Sequence, residues 1–320
     1  MRQLLIAIAS FAFMVLAPAA QGQATYPVKN IRVIVPSPTG GPSDIVARLL
    51  GDKLAQSLGK QVVIDNRTGA SQIIGSNLVA KAEPDGYTLL QAAANMSINP
   101  IMVPDLPYDT IKDFAPVSMT HLTPYVFLVS AQSPIRSVPE LLKFIRGNPS
   151  KITYGVTGPG SPHQLATLTM MQIAGGLAGM TAVQYKGSTP AHPDLIANRI
   201  TFMIDPLAAA SPYIRAGLLR ALAVSTPQRN PSFPDVPAAA EAGLPGYDFA
   251  SWGGMFAPAG TPLAIVLKLN VEIGTALTNP DLRKRFGDMV LVTKHSTPEE
   301  FGKFLPSEIA RWRALLAKKP

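Results

Sequence analysis

Apolar and polar positions alternate along this chain in two rhythms that take turns. Ile31–Val35 is a mostly apolar run of the kind that makes a buried strand. Ile45, Leu49, Leu50, Leu54 and Leu58 then recur at helical spacing until Gly59 stops them. Residues 61–64 predict the next strand, 75–81 a helix, and 87–91 a further strand behind the Pro84-Asp85-Gly86 turn. This first stretch predicts an α/β unit.

A second set of the same kind follows. Ser137-Val-Pro-Glu140 has the spacing of a capping box with proline near the helix start, and Gly147-Asn148-Pro149 ends that helix. Strands are then expected at 152–156, 181–185, 200–204 and 220–225, with helices opening at Pro162 and near Pro190. The apolar segments 124–132 and 247–258 bracket this set and predict the crossings between two lobes. The fold expected is therefore α/β with one lobe inserted into the other: residues 25–125 plus 249–320 form a discontinuous first lobe and 126–248 the second. Helix starts at Thr261-Pro262, Asn279-Pro280 and Thr297-Pro-Glu-Glu300 are expected to complete the first lobe. The last carries Phe301, Phe304, Leu305, Ile309, Trp312 and Leu316 on one face.

The amino terminus changes where this fold is expected to work. Arg2 precedes an uncharged apolar stretch that falls short of the ~20 residues of a membrane-spanning helix, and small residues follow around Ala20, Gly22 and Ala24. Residues 1–24 thus predict a signal peptide cleaved near Ala24 and a periplasmic mature protein. The chain has no cysteine, so it offers neither a disulfide nor a lipidated anchor. The net charge of +8 favours anions, but lysine and arginine are scattered, with clusters only at Arg283 to Arg285 and at Lys318 and Lys319. Small anions fit this pattern better than nucleic acid.

Two loops hold the candidate chemistry. Pro36-Ser-Pro-Thr-Gly-Gly-Pro-Ser-Asp44 lies between a strand and a helix, where free backbone N–H groups and the positive helix end face outward. Gly40 and Gly41 admit close approach, Thr39 and Ser43 add hydroxyls, and Asp44 either caps the helix or meets a donor on a ligand. An ordinary Gly-Pro turn gives the same letters. The second loop, Thr157-Gly-Pro-Gly-Ser161, has the same setting, with a plain N-cap at Ser161 as its bland alternative. One carboxylate bridging Thr39, Gly40, Gly41 and Ser43 with Thr157, Gly158, Gly160 and Ser161 explains why there are two.

His163, near Ser161, and Asp205 have residue types found in nucleophilic triads. The chain lacks a G-x-S-x-G elbow, and closeness in sequence is not triad geometry, so a hydrolase or lyase is the lesser alternative. The four histidines lie far apart without H-E-x-x-H, and neither a P-loop nor a complete dinucleotide fingerprint occurs. No metal and no cofactor are expected.

Long segments carry a family likeness: YPVKNIRVIVPSPTGGPSD, LGKQVVIDNRTGA, AKAEPDGYTLL, LPYDTIKDFAPV, QYKGSTPA, LRALAVSTPQR and PDVPAAAEAGLPGYDFASWGGMFAPAGTP. In these the chain resembles the Bug-type, TctC-like periplasmic receptors of tripartite tricarboxylate transporters. The resemblance implies a two-lobed, type II-like periplasmic binding fold that closes on a small carboxylate. It further implies delivery to membrane transporter subunits, with a sensor's membrane partner as an alternative, and a monomer by default. Asp205 matches an acidic position that faces the ligand in some members. Two departures bear on the ligand: Ser37 stands where the family has an aromatic residue, and Gln164 stands where it has histidine, with His163 one place earlier.

Overall fold

The computed structural model describes residues 26–176 and 179–317; the expected signal peptide, residues 1–24, lies outside them. In chain order the elements are β1 (Ile31–Val35), α1 (Pro42–Leu58), β2 (Val62–Asn66), α2 (Ile73–Ala80), β3 (Thr88–Ala93), α3 (Asn95–Met102) and the long β4 (Phe114–Ser130). The second set comprises α4 (Val138–Gly147), β5 (Thr153–Val156), α5 (Pro162–Ile173), β6 (Thr181–Gln184), α6 (Ser188–Ile196), β7 (Phe202–Pro206), α7 (Leu207–Arg215) and β8 (Leu219–Val224). β9 (Ala250–Pro258), α8 (Leu263–Thr278), α9 (Pro280–Asp288), β10 (Val292–Thr293) and α10 (Pro298–Ala317) follow.

Strand β4 serves two sheets. Its residues 114–124 pair antiparallel with β9, and residues 125–130 pair antiparallel with β7 and β8. Across the first sheet the order is β2-β1-β3-β9-β4; across the second it is β6-β5-β7-β4-β8. Each sheet thus holds three parallel strands whose first member lies in the middle, followed by an antiparallel strand arriving from a distant part of the chain. Where strand order reverses about that middle strand, the helices that follow leave on opposite faces and open a crevice at the carboxyl ends. The loops after β1 and β5 sit at these two equivalent points.

The helices form for reasons visible locally. α1 has Pro42 in its first turn, buries Val46, Leu50 and Leu54 at four-residue spacing, and ends at Gly59 in the left-handed region (φ 66°). The box that closes α10 is reciprocal: Thr297 Oγ1 accepts from the Glu300 N–H (3.1 Å) while Glu300 Oε2 accepts from the Thr297 N–H (2.8 Å). One apolar cluster fills the space between the first sheet and α1, α8 and α9. Another runs through both halves, from Ile34 and Leu90 by way of Trp252, Phe249 and Trp312 to Leu141 and Phe202.

Helix α10, expected to complete the first lobe, also reaches residues 248 and 249. Trp312 packs on Phe249, with ring centroids 5.6 Å apart, and Arg311 Nη2 donates to the Asp248 carbonyl (2.6 Å). It therefore also braces the segment that returns from the second half. Among the described residues, no helix is long and apolar enough to cross a membrane.

Candidate functional site

The loop after β1 is built around Asp44, whose side chain does not cap α1 but ties the loop together. It is 1% exposed and turns inward. Oδ2 accepts from the Gly40 N–H and Arg48 Nε, and Oδ1 from Arg48 Nη2 and Asn66 Nδ2, each at 2.9 Å. Burial alone pushes this carboxyl up, but the Arg48 guanidinium, the Gly40 N–H and the Asn66 amide together hold it below the ordinary carboxylate range. The N-cap position falls to Gly41, and no side chain caps α1. Its first-turn amides thus lack the usual side-chain acceptor, an arrangement that suits an anion.

Asn66, at the end of β2, was not suggested by the pattern of the chain, yet it organises the loop. Its amide also donates to the Ser37 carbonyl (3.0 Å), and its Oδ1 receives the Thr39 hydroxyl (3.2 Å). Gly40 takes φ +80°, and a Cβ built there meets no heavy atom within 4 Å, so the turn's outer side is open. Ser37, the residue standing in for an aromatic, has a buried hydroxyl without a hydrogen-bond partner. Gln72 Oε1, Ser76 Oγ and Asn77 Oδ1 are in the same condition. They belong to the start of α2 and the short turn before it, where Ala70, Ser71 and Gln72 all have positive φ. The Ser37 hydroxyl is the orphan within the loop itself, and buried polar atoms left unpaired are rare.

The loop after β5 satisfies itself. Ser161 Oγ accepts from the Gln164 N–H (3.4 Å), and Gln164 Oε1 accepts from the Gly160 N–H (2.7 Å). Gly158 (φ +132°) has no heavy atom within 4 Å of a built Cβ, so this loop also borders open space. At Gly160 a Cβ would lie 2.9 Å from the Met102 side chain, which brings the end of α3 from the first half against this loop. Asn99 of α3 in turn holds the Ser71 carbonyl (3.0 Å), and the start of α2 touches Pro36 through Gly75. Thus α2 and α3 link the neighbourhoods of the two loops.

Beneath the second loop lies an assembly that sequence adjacency hid. Asp205, at the end of β7, is fully buried; Oδ1 accepts from His163 Nε2 (2.9 Å) and Ser188 Oγ (2.6 Å), and Oδ2 from His192 Nε2 (2.9 Å). His163 Nδ1 meets Thr157 Oγ1 at 2.9 Å. His163 and Asp205, whose residue types the sequence offered as triad partners although 42 residues separate them, are therefore in direct contact. Burial pushes the Asp205 carboxyl up, but hydrogen bonds from His163, His192 and Ser188 hold it below the ordinary range, so it is an anion. Tyr125 packs edge-on against His163 at 5.6 Å, and burial with the Asp205 charge raises its phenol.

The candidate residues thus form two groups: Ser37, Thr39, Gly40, Gly41, Ser43 and Asp44 after β1, and Thr157, Gly158, Gly160, Ser161, His163 and Asp205 after β5 and β7. The described cavities lie elsewhere. One of about 710 Å³ between α3 and α10 is lined by Pro100, Tyr108, Pro306 and Arg313, and another of about 670 Å³ by Arg229, Arg283 and Val290. Among the described residues, no group of three or more histidine or acidic side chains is disposed to hold a metal ion.

Residues 46–320 match the family model described as the tripartite tricarboxylate transporter family receptor, TctC. The chain is 38% identical over 300 residues to the UPF0065 protein of the tcbD-tcbE intergenic region of Pseudomonas sp. strain P51, covering 93% of this chain and 89% of that one. It is 34% identical to BugT of Bordetella pertussis over 91% of this chain and 90% of the relative. Among solved structures, R. palustris Rpa4515 with adipate superposes with a TM-score of 0.77 at 35% identity, over 91% of this chain and 97% of that one. MatC of Rhodopseudomonas palustris with bound malate gives 0.73 at 32% identity, over 91% and 99%.

Proposed function

The chain belongs to the tripartite tricarboxylate transporter receptor family, and on that premise we propose that it captures a small carboxylate in the periplasm and delivers it to the membrane subunits of such a transporter. It is a solute-binding receptor with a periplasmic binding protein fold, not an enzyme. The observation that carries the carboxylate reading is the pair of glycine-bearing loops at equivalent switch points of two equivalent sheets. The first leaves amide N–H groups uncapped at the amino end of α1, and the relatives solved with adipate and malate hold anions of the class such an end favours.

In this reading residues 25–125 plus 249–320 and residues 126–248 are the two lobes, hinged along β4, which pairs in both sheets, and the segment leading into β9. The ligand's carboxylate sits on the uncapped end of α1, near Thr39, Gly40, Gly41 and Ser43, and its far end meets Thr157, Gly158 and the Ser161 side of the second loop. Asp44, His163 and Asp205 shape the loops from behind. Open space at Gly40 and Gly158 suits a site that is completed by closure, so that the ligand stabilises the closed state by its contacts to both lobes. Export with cleavage near Ala24 and a monomeric mature chain complete the proposal.

Thermal-shift screening of the mature chain against mono-, di- and tricarboxylates and aromatic acids, with mass spectrometry of each hit, tests it. A ligand at a hundred times its Kd stabilises the native state by about 2.7 kcal/mol. A carboxylate recovered unchanged supports the reading; absence of any hit across the panel overturns the carboxylate assignment.

A further inference from the structure

The assembly under the second loop contains an asymmetry that the capture of an anion does not itself require. Asp205 accepts an Nε2–H from both histidines, so in each ring the second nitrogen decides what else the imidazole does. His192 Nδ1 is buried without a partner, and the ring lies against Tyr213 at 4.5 Å. A proton there becomes an unsatisfied buried donor, which is costly. His163 Nδ1 faces Thr157 Oγ1 at 2.9 Å, a hydroxyl that accepts as readily as it donates.

That hydroxyl has one hydrogen. With His163 neutral, the Nδ1 lone pair takes it, and Thr157 offers a carboxylate only lone pairs, with the buried Asp205 anion across the imidazole. With His163 cationic, Nδ1–H donates to Thr157 Oγ1, the hydroxyl hydrogen is released toward the loop's open side, and the Asp205 charge is balanced. We infer that this receptor binds its carboxylate together with a proton, taken up at His163 Nδ1 and relayed as a reorientation of the Thr157 hydroxyl. The step is an acid–base one: water or buffer gives up the proton, His163 gains one N–H bond, and no other bond is made or broken.

The groups that surround His163 allow this assignment. Asp205 faces it from β7, Tyr125 from β4, and Ser188 and His192 stand on α6; among the described residues, the carboxylate that either histidine meets is Asp205. Tyr125 remains a neutral phenol because burial raises it. Histidine is the side chain whose charge changes between about pH 5 and 8, the range in which such coupling is observable. The inference rests on the carboxylate-receptor reading and deepens it.

Calorimetric titration of the full mature chain with adipate and with malate, in buffers of different ionisation enthalpy between about pH 7 and 8.5, counts the protons. Wild type is expected to take up close to one proton per ligand at the alkaline end, where aliphatic dicarboxylates are themselves ionised (about one proton,). Its affinity then falls by up to about tenfold per pH unit. His163→Gln and Thr157→Val are expected to bind more weakly with no uptake, whereas His192→Gln, if folded, retains uptake. Binding by wild type with zero uptake and a flat pH profile overturns the inference and leaves the receptor reading standing. Binding of neither acid at any pH, with no hit in the wider panel, overturns the carboxylate reading and the inference with it.

Discussion

After β1 the chain enters α1 through Gly40 and Gly41 without a side-chain cap, and its acidic residue, Asp44, is tied by Arg48, which reaches the surface. After β5 it enters α5 with Ser161 and Gln164 closing the helix end, above Asp205, which no solvent reaches. Two loops at equivalent points of two equivalent sheets are therefore held differently. The first leaves its helix end and the Ser37 hydroxyl unsatisfied; the second has spent its local donors and keeps a buried charge in reserve. In the proposed site, the anion-binding capacity falls mostly to the first loop and the adjustable electrostatics to the second.

This contrast can be broken most forcefully from below. Asp205→Ala strands three donors, from His163, His192 and Ser188, in the interior, and removal of one partner from a buried charged set costs about 3–5 kcal/mol. Urea unfolding should register that loss; a change below about 1 kcal/mol means the buried assembly does not brace the loop. Asp44→Ala should cost less, about 1–2 kcal/mol, because Arg48 is half exposed and solvent screens its share, leaving mainly the Gly40 and Asn66 hydrogen bonds. The same variant should lower carboxylate affinity by about tenfold or more, as roughly 1.4 kcal/mol of loop order is lost.

Acid should strike both loops in the same direction. Both carboxyls are depressed in the folded state, so their contribution to stability is present above the unfolded carboxylate range and is lost as pH falls through the folded values. Unfolding free energy should thus be level above about pH 5 and drop below about pH 4, less steeply in Asp205→Asn. A variant curve parallel to wild type removes Asp205 from the account.

Finer tests separate capping from binding. Ser161→Ala should lose about 1 kcal/mol, the ordinary worth of an N-cap, in urea unfolding. Ser37→Ala should show the reverse: stability within about 0.5 kcal/mol of wild type, since no bond is lost, but affinity lowered several-fold if the orphan hydroxyl meets the ligand. Unchanged affinity assigns Ser37 to the fold alone.

Much of this was legible along the chain, for reasons that can be named. Strand β1, helix α1 and the capping boxes before α4 and α10 depend on neighbours within four residues, and each stands within three residues of its expected place. The two loops announced themselves through glycine and proline after an apolar run. What escaped notice was punctuated by proline in the wrong places: α3 contains Pro100, α7 contains Pro212, and β4 carries Pro116 and Pro124 along with shifts of register. Local rules place a break at each, whereas packing on both sides carries the element through.

The sequence by itself determined most of the strands and helices, the doubled strand–loop–helix theme and, through its long matching segments, the family. Those features reside in local periodicity or in linear similarity, and neither needs a neighbour in space. Only the tertiary structure decided that Asp44 turns inward, because Asn66 arrives from β2, 22 residues away. Only it placed His163, Ser188 and His192 around Asp205, because β7 lies beside β5 in the sheet and thereby brings partners 42 and 13 residues apart to hydrogen-bonding distance. A buried charge takes whichever donors the fold carries to it, and that choice is made by sheet order rather than by spacing along the chain.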